Sequence, residues 1–377
     1  MELRLVGLAV VSTSLIGCGG GGGGGTVTQP AQAVLANYDY TQGTASNYTD
    51  AYNTLTTGTA ATLPYTSPSS VSYSSTQAAN TALNGSGGLP IATQDTRANE
   101  AWQEGWTGKD VKVGIVDEFN SNGQIDTHGD WVSIVVSSVA PESNLGLQNY
   151  QRSTLAATVT AIGNAYDSLE AGGYFIVNNS WGFDKAERTS TGAYTGNLVA
   201  GYDALVSQTV QGIIDNPSTD SYDSNMLFVY AAGNGAQYCG SVYVNDCNFF
   251  ASLVDGLRDA GLSAGNRIMF VGSVKDDGDT IADYSYRAGT LKNDFIVAND
   301  DILGPGDAGG TSFAAPRVVG AAALLRQKFP NLDAAALKQV LLQTATDLGE
   351  PGVDSIYGFG KLNVMNALSP QGKVYAK

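Results

Sequence analysis

One histidine, three cysteines and no basic cluster are what this 377-residue chain has least of, and each scarcity excludes a class of function. With 19 Lys and Arg against 35 Asp and Glu the net charge is −16, so a phosphate backbone would find nothing to bind and nucleic acid is excluded as a partner. The single imidazole, His128, and cysteines at 18, 239 and 247 cannot assemble a zinc site of ordinary ligand spacing, and no metal ligand set is legible. No apolar run reaches the roughly 20 residues of a membrane-crossing helix, and no series of alternating strands suggests an outer-membrane barrel. Charged residues are only 14% of the chain, yet 43% hydrophobic and 9% aromatic residues are enough for a packed core. The acidity reads as a solvated surface.

The N-terminus carries its own signals. Residues 5–16 (LVGLAVVSTSLI) are an apolar stretch too short to span a bilayer, which reads as the hydrophobic part of an export signal. Leu15-Ile16-Gly17-Cys18 resembles the lipobox of bacterial lipoproteins, in which the cysteine is lipidated and becomes the mature N-terminus; the rival is a plain signal peptide that contains a Cys. The seven glycines 19 to 25 follow at once, a flexible tether with a reach of about 15 Å. Residues 26–93, rich in Ser, Thr, Ala, Asn and Tyr, read as a linker or a wrapping arm rather than a compact prodomain. The organisation expected is thus a signal over 1–18, a tether and low-complexity segment over 19–93, and one domain over 94–377, anchored to an outer membrane or cell surface or released to the medium. Cys239 and Cys247, eight apart in a polar stretch, suit a small disulfide-closed loop, which persists outside the cytoplasm.

From about residue 94 apolar β-rich runs alternate with helical periods. Strands are predicted at 111–117, 144–148, 174–180, 226–232, 268–274 and 294–298, and helices at 153–171, 198–215, 312–328, 333–346 and 361–368. That alternation predicts an α/β fold with a mostly parallel central sheet and helices on both faces, whose ligands sit at the carboxyl ends of the strands. Four segments stand at such places. The run VKVGIVD ends in Asp117; His128 opens an apolar stretch that fits a helix; LFVYAAGNG runs into small residues and then Asn234, whose amide can donate to a developing oxyanion; and Gly309-Gly310-Thr311-Ser312 starts a long apolar helix. Helix N-terminal amides favour negative charge developing beside Ser312.

DVKVGIVD, THGxxV, VNNSWG, YAAGN and GGTSFAAP together resemble the motifs of subtilisin-like serine proteases (subtilases, peptidase S8 type), in the acid, His, Ser order of that fold. GWTGKDVKV and YGFGKLN resemble the opening and closing segments of the family's catalytic domain. The resemblance implies a triad of Asp117, His128 and Ser312, an oxyanion hole made by Asn234 and the Ser312 amide, a substrate-pairing strand at Ser180, Trp181 and Gly182, and a specificity-pocket wall at Ala231, Ala232 and Gly233. It implies protein or peptide substrates and an acyl-enzyme, with no cofactor required. Two departures stand out: only ten residues separate Asp117 from His128, and Asp130-Trp131 replaces the usual small residue and second His. Structural Ca²⁺ bound by the carboxylates of 275–286 (KDDGDTIADYSY) is the alternative to an acidic surface turn, and the stretch reads as the turn because it lacks the regular alternation and Gly of an EF-hand loop.

The rival function is a catalytically silent surface binding protein or adhesin on the same fold, which would have little reason to retain Asp, His, Asn and Ser together. An α/β-hydrolase esterase fits worse. Gly310-Thr311-Ser312-Phe313-Ala314 lacks the second Gly of its nucleophile elbow, and the order of acid, His and Ser is wrong for that fold.

Overall fold

The computed structural model describes residues 35, 38–46, 90–119, 127–150, 155–189, 193–215, 224–275, 277–302 and 309–370. Cys18, the signal segment, the glycine tether and most of the segment to residue 89 lie outside them. In chain order the elements are α1 (Ile91–Asp95), α2 (Ala98–Gln103), β1 (Lys112–Asp117), α3 (His128–Val139), β2 (Asn144–Asn149), α4 (Leu155–Ala171), β3 (Ile176–Asn179), β4 (Ala186–Arg188), β5 (Tyr194–Leu198), α5 (Tyr202–Asp215), β6 (Leu227–Ala231), α6 (Val244–Cys247), α7 (Phe249–Asp259), β7 (Ile268–Ser273), β8 (Phe295–Ala298), α8 (Thr311–Lys328), α9 (Ala334–Gln343) and α10 (Val364–Ala367).

Six of the strands form one sheet in the order β2-β1-β3-β6-β7-β8, every neighbouring pair parallel. The two-residue period of a strand sends alternate side chains to opposite faces, and both faces are covered. In β6, Leu227, Val229 and Ala231 join the core made with α3, α8 and α9, whereas Phe228 and Tyr230 join the one made with α4, α5 and α7. The predicted α/β sheet with helices on both faces is the architecture found.

Two expectations are corrected. The predicted helix over 198–215 starts at Tyr202, because Leu198 ends the exposed antiparallel hairpin β4–β5. The one over 361–368 shrinks to α10, since Lys361 bridges to Thr346 and Val297. Helix α7, with Phe249, Phe250, Leu253, Val254 and Leu257 buried at helical spacing, adds to the five predicted.

Helix α8 runs through the centre and is buried on nearly all sides. Its Arg317, fully buried, pairs with Asp95 of α1 at 2.7 Å and donates to the carbonyls of Phe313 and Asp301. At its far end Gln327 accepts from the backbone of Thr107 and Gly108 and donates to Thr44 O at 3.1 Å. Residues 38–46 are thereby an arm held against α8, where Tyr40 packs edge-on against Phe329 and Gly43 N donates to Lys328 O.

Candidate active site

Parallel strands deliver their last residues to one edge, and the register aligns three of them. Val116 lies opposite Asn179, and Asn179 opposite Tyr230. Asp117, Ser180 and the turn after β6 therefore stand side by side at the carboxyl end of the sheet. Asp117 is 1% exposed and shares the face of Val113 and Ile115, beneath α3.

His128 is the first residue of α3, as predicted. The Thr127 backbone N–H and hydroxyl both donate to Asp130 Oδ2, at 2.9 and 2.6 Å, closing the N-terminus of the helix, and Gly129 N donates to Glu118 O. Asp130, one of the departures noted in the sequence, thus anchors the turn that carries the histidine. The ring meets Asp117 through Nδ1–Oδ1 at 2.8 Å, and Asp117 Oδ1 also accepts from Glu118 N at 2.7 Å. The imidazole is 36% exposed, so one nitrogen is held by a buried carboxylate while the ring reaches an open cleft.

That cleft, about 270 Å³, is lined by His128, Ser180 to Gly182, Asp184, Arg188, Ala231, Gly233, Asn234 and Gly309 to Phe313. Ser312 lies in the first turn of α8. Four residues on, Pro316 has no N–H to offer the Ser312 carbonyl. The Ser180 hydroxyl takes that carbonyl at 2.7 Å, and the Ser312 hydroxyl donates back to Ser180 O at 2.9 Å. Phe313 packs against the His128 ring at 5.5 Å.

Asn234 is oriented by Thr311, which the sequence reading did not single out. Both the Thr311 amide and its hydroxyl stand within bonding distance of Asn234 Oδ1, at 3.0 and 2.9 Å, and Thr311 Oγ1 also accepts from Gly233 N at 3.0 Å. With the oxygen occupied, Nδ2 is the end directed at Gly310, beside Ser312. The signal for Thr311 was only its adjacency to Ser312; which way its hydroxyl turns depends on β6, which is remote in sequence.

The remaining predicted site residues divide. Ser180, Gly182, Ala231 and Gly233 line the cleft. Trp181 reaches the cleft too, but its indole is buried, donating to Val116 O at 2.7 Å and packing on Phe250 and Tyr150. Ala232 is not on the wall: fully buried, its N–H donates to Val271 O and its carbonyl accepts from Asn248 Nδ2. Cys239 and Cys247 lie at disulfide distance, Cα–Cα 6.2 Å, beyond Asn234. Within the acidic 275–286 stretch, residues 277–280 make a turn in which Asp277 accepts from the amides of Asp279 and Thr280; the side-chain bond from Thr280, followed by those amide bonds, lowers its pKa to about 2. Among the described residues no group of three or more His, Cys, Asp or Glu side chains is gathered as a metal site.

The sequence profile of the subtilase family (Peptidase_S8) matches residues 114–360, well over half of the chain and all of the cleft. The chain belongs to the subtilase family. This subtilase is 31% identical over 264 residues to the neisserial autotransporter lipoprotein NalP of Neisseria meningitidis, covering 61% of this chain and 23% of that one. It is 30% identical over 210 residues to serotype-specific antigen 1 of Mannheimia haemolytica, covering 52% of this chain and 20% of that one. The chain thus spans about a fifth of the length of these two relatives. Subtilisin DY of Bacillus licheniformis is 28% identical over 294 residues, 74% of this chain and 96% of that one. MycP1 from Mycobacterium smegmatis has the same fold, with a TM-score of 0.51 at 19% identity over 74% of this chain and 83% of that one.

Proposed function

We propose that this chain is an exported, lipid-anchored serine endopeptidase that hydrolyses proteins through an acyl-enzyme. The observation that carries the reading is the 2.8 Å His128–Asp117 contact at the rim of a cleft that also holds Ser312 and Asn234. Asp117 keeps the imidazole proton on Nδ1, so that Nε2 acts as the base. Nε2 takes the Ser312 hydroxyl proton as the oxygen bonds to the substrate carbonyl carbon; the peptide C–N bond then breaks, and the amine leaves with that proton. Water repeats the sequence on the acyl-enzyme. Asn234 Nδ2 and the Ser312 amide stabilise the oxyanion, and the extended substrate pairs with the backbone of Ser180 to Gly182, facing Ala231 and Gly233. These steps need no cofactor.

Labelling the full-length protein with a fluorophosphonate and mapping the adduct by mass spectrometry tests the reading: modification is expected at Ser312 in the folded protein and not after denaturation. A folded protein that leaves Ser312 unmodified would be the silent binding protein instead. Surface location rests on the short apolar run ending in Leu15-Ile16-Gly17-Cys18 and on relatives named as a lipoprotein and an extracellular protease. Cys18→Ser is expected to move the protein from the membrane to the soluble fraction; wild-type protein recovered wholly soluble, with an unmodified N-terminus beyond Cys18, contradicts lipidation.

A further inference from the structure

We infer that Asp184 makes this cleft selective for substrates with Arg or Lys at P1, the residue whose carbonyl Ser312 attacks; the inference rests on the protease reading above. Asp184 follows the Ser180–Gly182 segment and lines the cleft across from Gly233. Its side chain is 5% exposed. Oδ2 is fully engaged, accepting from Arg188 Nη2 at 2.7 Å and from the Tyr194 hydroxyl at 2.9 Å. Oδ1 is buried with no hydrogen-bond partner among the described residues, and so is the Tyr286 hydroxyl.

Gly233 on the facing wall has φ 106°, and a Cβ there would stand 3.0 Å from Asp184 Oδ1 and 2.8 Å from the Tyr286 ring. Because residue 233 has no side chain, the Asp184 carboxylate and the Tyr286 ring close up against its backbone at the cleft wall, and the unpaired carboxylate oxygen lies next to that wall. A buried carboxylate oxygen without a donor is costly, and the cost is relieved only by a group that brings protons to it. An apolar P1 side chain would seal the oxygen off, and an acidic one would set a second negative charge against it. A guanidinium or ammonium supplies charge-assisted hydrogen bonds.

Arg188 does not already fill this role. Its guanidinium lies over the Tyr194 ring at 4.1 Å and bonds to Oδ2, and the nearby Lys185 is spent on Asp203. Burial, reinforced by the charge of Asp184, holds the Tyr194 and Tyr286 phenols far above their ordinary value. They remain neutral and add no charge of their own.

The test uses the full-length protein and matched peptides that differ only at P1: Arg, Lys, Phe, Leu and Glu. The expected result is a kcat/KM for Arg or Lys at least about tenfold above that for Phe or Leu. Asp184→Asn is expected to collapse that ratio toward one. Because the variant also disturbs Arg188 and Tyr194 and can misfold, the wild-type protein is titrated in parallel with peptide aldehydes ending in argininal or phenylalaninal, and the argininal is expected to bind more tightly. A flat, apolar or acidic P1 profile, equal inhibition by the two aldehydes, or an Asp184→Asn enzyme with the wild-type ratio overturns the inference while fluorophosphonate labelling of Ser312 leaves the protease reading standing. No labelling at Ser312 overturns both.

Discussion

Thr311 is tied to Asn234, and Ser180 to Ser312, by two hydrogen bonds each, and the groups at this site should cost different amounts to remove. Ser312→Ala deletes the covalent route, Asn234→Ala keeps it and loses one oxyanion donor, and Thr311→Val loses only the hydroxyl that helps to aim that donor. By the magnitudes measured in subtilisin, the first two losses are about 10⁶ and 10²–10³ in kcat. Thr311→Val is expected to fall by about tenfold with KM little changed, since the backbone bond to Asn234 remains. Peptide hydrolysis by the three variants, each shown native by circular dichroism, checks the order; Ser312→Ala as active as Asn234→Ala would remove Ser312 as nucleophile. At the same scale, only a neutral imidazole can accept the serine proton, so kcat/KM is expected to show an acid limb. A profile flat from about pH 4 to 9, bracketing the ordinary histidine range, would remove His128 from the mechanism.

Among the elements, α8 decides the geometry of the cleft, and its packing on α3 explains how. The two helices cross where Gly320 lies against Val139: a Cβ on residue 320 would come within 2.5 Å of the Val139 Cβ and 3.3 Å of the Val136 carbonyl. Since α3 starts with His128 and α8 with Thr311 and Ser312, the spacing of the crossing also sets the spacing of their N-termini. Gly320→Val is expected to destabilise by about 1–3 kcal/mol through overpacking, read as a lower urea midpoint. The strands and the long helices were legible because their apolar residues recur with the periods of two and 3.6 that burial on one face or one stripe demands. The β4–β5 hairpin was not: its strands are short, mostly exposed and without alternation, so no local pattern marks them.

For the whole molecule, stability against acid rests partly on a buried cluster joining α7, α9 and the entry to β8. Asp294 bonds to Arg258 at 2.6 Å and to Lys338 at 2.5 Å. Burial alone would raise the Asp294 pKa, but the Arg258 bonds and the Lys338 charge outweigh it and hold it below the ordinary carboxylate value. A folded pKa below the unfolded one, ~3.9, means that stability is full above that value and lost as the pH falls through the folded one. The urea midpoint is therefore expected to decline below about pH 4. Burial raises Asp95 and Asp300, which gives the opposite slope. The decline should accordingly shrink in Asp294→Asn, although that variant starts lower by about 3–5 kcal/mol, since it leaves the buried Lys338 and the partly exposed Arg258 without their counter-charge. A Cys239–Cys247 bond would add about 2–3 kcal/mol by closing its short loop. Alkylation of denatured, unreduced mature protein is expected to find neither cysteine, and two reactive thiols there would contradict the bond.

Asp117, His128, Asn234 and Ser312 stood out in the sequence because each lies at a boundary that neighbouring residues define, the end of an apolar run, the start of a helical period or a glycine-rich turn, and their roles were what the resemblance to subtilase motifs implied. The parallel α/β class followed from the same local periods. Tertiary structure alone decided the strand order, the removal of Ala232 from the cleft wall, the bare oxygen of Asp184 facing Gly233, and the exchange of hydrogen bonds between Ser180 and Ser312 across 132 positions. Patterns along a chain are written by the interactions of near neighbours. Where a buried oxygen finds its partner, or fails to, depends on how distant elements pack.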